Sequence, residues 1–150
     1  MRKWIVVVAA ELALCACGGS GGGGTTSRLD QSLAGTWVGT TTLALPAFDL
    51  VYPSTVKIDV SGSTGSITQI CPDGSGSFPL EGSGASAHWM DRNITCSLGR
   101  FANCSHGAYF DYHSGHLSLG SNNTLHLEGS GISAGCEVGG LATVTFDGSK

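Results

Sequence analysis

The chain has 150 residues, a formal net charge of −4 and only 12% charged side chains, with 24 glycines. That length sets one domain with room for a single hydrophobic core that needs no metal to hold it. The few basic residues form no stripe, which makes nucleic acid and anionic lipid headgroups poor partners.

The first residues read MRKWIVVVAAELALCAC. Arg2 and Lys3 form a positive start, and an apolar stretch runs from Trp4 to Ala10 and resumes after Glu11. This is the layout of a secretory signal. Its end, Leu14-Cys15-Ala16-Cys17, resembles a bacterial lipobox, with Leu14 at −3 and the small Ala16 at −1. Cys15 does not fit as the acylated residue, because Leu14 would then occupy −1. The resemblance implies cleavage before Cys17 and lipid on its new N-terminus. The competing expectation is an ordinary signal peptide with soluble release. A membrane span is not expected, since the apolar run is shorter than the ~20 residues a helix needs and Glu11 interrupts it. Gly18 to Gly24 is glycine except for Ser20, and Thr25 to Ser27 extend it. Such a segment is a flexible coil with a reach of about 20 Å. The expected organisation is a signal peptide at 1–16, a lipidated cysteine and tether at 17–28, and one domain at 29–150. Losing Arg2, Lys3 and Glu11 from seven basic and eleven acidic residues leaves five against ten, a net charge near −5.

The domain opens Leu33-Ala34-Gly35-Thr36-Trp37-Val38-Gly39-Thr40. This resembles the Gly-x-Trp opening of lipocalin-like barrels, whose first-strand tryptophan plugs the closed end. That resemblance implies a plug role for Gly35 and Trp37. The other lipocalin motifs are absent: there is no Thr-Asp-Tyr, and no arginine follows Arg100 to stack on Trp37. Most of the chain is similar to small bacterial lipoproteins with a glycine tether, Gly-Thr-Trp, Ser/Thr/Gly-rich strands and four cysteines. That group implies no particular activity.

The rest reads as strands. Val56, Ile58 and Val60 alternate with Lys57, Asp59 and Ser61. Leu117 and Leu119, Leu125 and Leu127, and Val144 and Phe146 repeat the period of two. Turn signals recur about every ten residues, among them Ser61-Gly62-Ser63, Pro72-Asp73-Gly74, Gly82-Ser83-Gly84, Ser114-Gly115 and Ser121-Asn122-Asn123. The fold class is therefore all-β: an antiparallel meander closed, or nearly closed, into a barrel, with a β-sandwich as the alternative. Residues 97–107 read as a longer loop.

Four cysteines, Cys71, Cys96, Cys104 and Cys136, fall in the domain, with 24, 7 and 31 residues between them. An even number in an exported chain implies two disulfides, and no Cys-x-x-Cys points to zinc. Three connectivities are open. The short Cys96–Cys104 interval favours that bridge, with Cys71–Cys136 as its companion.

Two hairpins can be registered. A two-residue turn at Ser114-Gly115 would pair His113 with His116, Tyr112 with Leu117 and Phe110 with Leu119. A three-residue loop at Ser121–Asn123 would pair Leu119 with Leu125, Leu117 with Leu127 and His116 with Glu128. Both put the large apolar residues on one face and Asp111, His113, His116, Ser118, His126 and Glu128 on the other. That polar face is a solvated barrel exterior, or, as an alternative, a zinc or copper site built from His113, His116, His126, Glu128 and Asp111. His88 and His106 have no registered neighbour.

Gly131-Ile132-Ser133-Ala134-Gly135 matches the hydrolase Gly-x-Ser-x-Gly pattern, but another strand follows where the nucleophile elbow needs a helix. The tether carries the same pattern at Gly18 to Gly22. Glu81, Asp91, Glu128 and Glu137 show no spacing that pairs carboxylates for glycoside hydrolysis. Trp37 and Trp89 are expected in the core. The expected function is a membrane-anchored, non-enzymatic binding or structural module of the cell envelope, on the outer membrane, with no cofactor. Its partners would be the membrane, through the lipid, and an envelope protein. The alternatives are a lipocalin-like carrier of a small apolar ligand, and a metal-binding protein or metal-dependent enzyme using the His113, His116 and Glu128 face.

Overall fold

A computed structural model describes residues 28–89, 94–99, 107–135 and 139–150. The expected signal, Cys17 and the glycine tether lie outside the described residues, as do Cys104, His106 and Cys136. A short 3-10 helix, Gln31–Leu33, precedes nine strands: β1 (Gly35–Ala44), β2 (Asp49–Ser61), β3 (Thr64–Thr68), β4 (Ser77–Ser83), β5 (Ser86–Trp89), β6 (Ile94–Gly99), β7 (Ala108–Leu119), β8 (Thr124–Ala134) and β9 (Gly140–Ser149).

Consecutive strands pair in antiparallel fashion except β5 and β6, and β1 pairs with β9. β5 and β6 lie end to end along one edge of β7: β5 faces Gly115–Ser118, while β6 faces the half of β7 that begins at Ala108. They act as one strand, so the sheet closes into an eight-strand antiparallel β-barrel. Closure runs through β5, which pairs with both β4 and β7, while β6 pairs with β7 alone.

Alternation does the sorting. Along β8, Leu125, Leu127, Gly129, Gly131 and Ser133 point inward and are buried. Val56 and Ile58 on β2, and Val144 and Phe146 on β9, do the same. Phe78, Trp89, Tyr112 and Phe110 fill the interior as one aromatic cluster. Phe78 stacks on Trp89 at 5.1 Å between centroids, and Phe110 meets Tyr112 edge-on at 4.6 Å. Eight strands leave an interior just wide enough for side chains or one small ligand. Here rings take even the space at inward glycines: a Cβ on Gly115 would lie 2.2 Å from the Trp89 ring, and one on Gly131 would lie 2.7 Å from the Phe110 ring.

Two expectations need correction. Ser114-Gly115 is not a turn. β7 runs straight through it, and a bulge between Tyr112 and Ser114 takes its place, with His113 as the extra residue. His113 therefore shares a strand with His116 instead of facing it. The bulge moves the buried set from Phe110 and Tyr112 to Leu117 without reversing the chain, which is the shift of face that the turn was meant to explain. The second correction concerns the cysteines. The bridge is Cys71–Cys96, with Cα atoms 5.2 Å apart, so neither Cys96–Cys104 nor Cys71–Cys136 forms. It ties the loop after β3 to β6, elements that 25 positions of sequence separate. The Ser121–Asn123 hairpin has the expected register, including His116 opposite Glu128 and Leu117 opposite Leu127.

Candidate functional site

One end of the barrel is closed by the residues before β1. The Leu29 amide donates to the Gly62 carbonyl in the β2–β3 turn, and the Asp30 amide donates to Gly84 after β4. The segment is strapped across the opening, with Leu29 and Leu33 buried beneath it. Asp30 caps the 3-10 helix by accepting from the Ser32 amide, and the Ser32 amide and hydroxyl hold its carboxyl below the usual range. Trp37 is completely buried, and its indole N–H donates to the Leu33 carbonyl at 2.9 Å. The lysine at the end of the sequence completes the plug. Lys150 Nζ lies 4.5 Å from the Trp37 ring centroid and donates to the Ser32 carbonyl at 2.6 Å. Its stem crosses Gly35, where a Cβ would come within 3.0 Å of it. The cation over Trp37 is a lysine, so the arginines of the sequence give no sign of this contact.

The opposite rim carries the disulfide and a small polar slot of about 130 Å³ lined by Tyr52, Ser54, Gln69 and Cys71. Beside it, Ser54 Oγ donates to Thr41 Oγ1 at 2.6 Å, and Thr41 also bonds the Tyr52 hydroxyl. Burial pushes the Tyr52 phenol up to about 12, against the smaller opposing effect of that bond, and pushes the more deeply buried Tyr112 further up.

The same rim gathers exposed apolar side chains. Among the described residues, six large hydrophobics stand exposed, and Val38 alone lies near the closed end. Ile132 and Leu141 are directly paired across β8 and β9, with Leu141 85% exposed. Tyr109 stands one strand away, opposite Ala134. Phe48 occupies the β1–β2 turn, and Val51 follows on β2. Taken in strand order β7-β8-β9-β1-β2, they form one arc around the rim.

The outer wall separates the expected metal-ligand set. Thr95 Oγ1 donates to Asp111, which stands opposite Ile132. His113 occupies the bulge. His126 Nδ1 pairs with Asp147 Oδ1 at 2.7 Å. His116 and Glu128 do meet, with 3.8 Å between Nε2 and Oε2. Sequence reasoning missed His88, which stands directly opposite His116 across β5 and β7. No local signal could reveal that pairing, since closure of the barrel brings the two strands together.

Ser133 of the Gly-x-Ser-x-Gly match is on a strand, faces the interior, and donates to the Gly140 carbonyl at 3.2 Å. No strand-to-helix elbow exposes it.

No known family model, curated protein or solved structure matches the chain.

Proposed function

We propose that this protein is a lipid-tethered module of the bacterial cell envelope that works by contact and not by turnover. Its barrel would be held off the outer membrane by its closed end. The apolar rim arc would then face another envelope protein. The observation that carries this reading is polarity. Arg28 adjoins Gly84 at the closed end, the end to which a preceding tether would be joined, whereas the exposed apolar arc lies at the far rim. Exposed apolar side chains gathered at one rim in this way mark an interaction surface. Lipid is a poorer occupant than protein, because the proposed anchor is at the other end. The resemblance to lipocalin-like barrels is supported by the Trp37 plug and its Lys150 partner. The carrier role is not favoured, because rings occupy the interior and even its glycine positions.

A photo-crosslinking residue at Leu141 should give a discrete protein adduct in intact cells, and Ile132→Glu should abolish it. The same probe at Lys57 should give none. No adduct at Leu141, or equal adducts at both sites, would refute the contact surface. Mass spectrometry of membrane-extracted protein should find lipid on an N-terminal Cys17, and Cys17→Ala should release the protein from membranes.

We also assign Cys104 and Cys136 to a second bridge, because Cys71–Cys96 leaves them as the remaining pair in an exported domain. Tyr109 opposite Ala134 brings the two flanking segments to the same end of the β7–β8 pair. The denatured, unreduced mature protein should then contain no titratable thiol.

A further inference from the structure

The outer wall holds an arrangement that the reading above does not use. Four side chains with metal-ligand chemistry stand in one line across four strands. Glu81 on β4 is opposite His88 on β5, His88 is opposite His116 on β7, and His116 is opposite Glu128 on β8. All four are exposed. We propose that His88 and His116 form a cross-strand chelate for a divalent late transition-metal ion, Cu2+ or Zn2+, with Glu128 as the third ligand.

Three observations carry this. First, directly opposed residues on antiparallel strands hold their Cβ atoms about 4.5–5.5 Å apart, which lets two imidazoles converge on one ion at metal–nitrogen distances of about 2.0–2.1 Å. Second, the His116–Glu128 separation of 3.8 Å is too long for a hydrogen bond. Two metal–ligand bonds of about 2.0–2.2 Å span roughly 3.3 Å at a tetrahedral centre and about 4 Å when opened, so an ion fits between these atoms with small side-chain adjustment. Third, the pair borders a shallow depression of about 320 Å³, bounded by Gly82, Ser83, Ser86 and Ser118. Small residues there leave the imidazoles room to turn and water room to complete the coordination.

No three metal-ligating groups already converge among the described residues, so the ion would draw the ligands together. The neighbouring His126–Asp147 pair is different. Its 2.7 Å contact is a closed hydrogen bond and leaves no gap for an ion. Imidazole prefers copper and zinc over magnesium or calcium, which sets the class of metal. Glu81 lies on the far side of His88 and serves as an acceptor that can orient that ring.

The test is calorimetric titration of the full-length, detergent-solubilised protein with CuCl2 and with ZnCl2, paired with thermal unfolding in the presence and absence of chelator. One equivalent should bind and raise the melting temperature. His88→Ala and His116→Ala should each weaken binding at least tenfold, and Glu128→Gln severalfold. His126→Ala should leave binding unchanged. All four positions are half-buried or exposed, so the variants should fold, and circular dichroism without metal checks this. No saturable binding of either ion overturns the proposal. So does binding that survives the His88→Ala/His116→Ala double variant, because it would place the ion elsewhere.

Discussion

Gly115 separates the barrel from any fold in which Ser114-Gly115 is a turn. Its φ is not positive, so glycine is not needed there for backbone reasons. It is needed for space. An added Cβ would lie 2.2 Å and 2.4 Å from two Trp89 ring carbons and 2.6 Å from the Glu128 carbonyl oxygen. The ring cannot retreat easily, because it also stacks on Phe78. The carbonyl belongs to the β7–β8 ladder, so it cannot move without breaking pairing. Inserting one methyl into a well-packed core costs about 1–3 kcal/mol. With ring and backbone both resisting, Gly115→Ala should sit at the upper end, about 3 kcal/mol. At roughly 4 °C per kcal/mol for a domain of about 120 residues, the melting temperature should fall by about 12 °C. Gly115→Asn, which a two-residue turn accepts readily, should cost at least as much. Urea and thermal unfolding of both variants measure this. Trp89→Phe supplies the internal check, since it removes the outer ring carbons and an indole N–H that has no partner among the described residues. In that background the cost of Gly115→Ala should shrink by about 1 kcal/mol or more. If both substitutions leave stability within about 0.5 kcal/mol of wild type, the continuous β7 and its ring-filled interior are wrong.

Other consequences can be checked independently. Peptide mapping without reduction should recover Cys71 linked to Cys96, and Cys71→Ser should cost about 3.5 kcal/mol, the loop-closure value for a 25-residue separation; recovery of Cys71 linked to Cys136 would contradict the fold. Lys150→Ala removes the cation over Trp37 and the bond to Ser32, and should lower stability by about 1 kcal/mol while changing the Trp37 emission; an unchanged spectrum would mean that the lysine does not seal the plug. Tyr52 has a folded-state value of about 12 against 10.0 in the unfolded chain, so the unfolded state loses its proton first. Its contribution is therefore complete below pH 10 and is lost as pH rises from 10 towards about 12, at up to about 1.4 kcal/mol per pH unit. Tyr52→Phe should flatten that alkaline decline, and an equally steep decline in the variant would remove Tyr52 as its cause.

What the sequence determined by itself is what short-range chemistry controls. Alternation in Val56, Ile58 and Val60 set the faces of β2, and the Ser121–Asn123 turn set the β7–β8 register down to His116 opposite Glu128. The burial of Trp37 was expected from its size, whereas its hydrogen bond to the Leu33 carbonyl was not legible. Which distant elements meet depends on the whole fold. Phe110 and Tyr112 point inward at even positions and Leu117 at an odd one. A turn and a bulge explain that change of face equally well along the chain. The choice fell to the bulge because β5 and β6 together supply a partner for the full length of β7, and because Trp89 fills the space that Gly115 leaves. The same closure put His88 beside His116 and the Cys71 loop beside Cys96. Period and turn chemistry act over a few residues, whereas closing the barrel is a property of all the strands at once, so neither pairing left a mark in the local sequence.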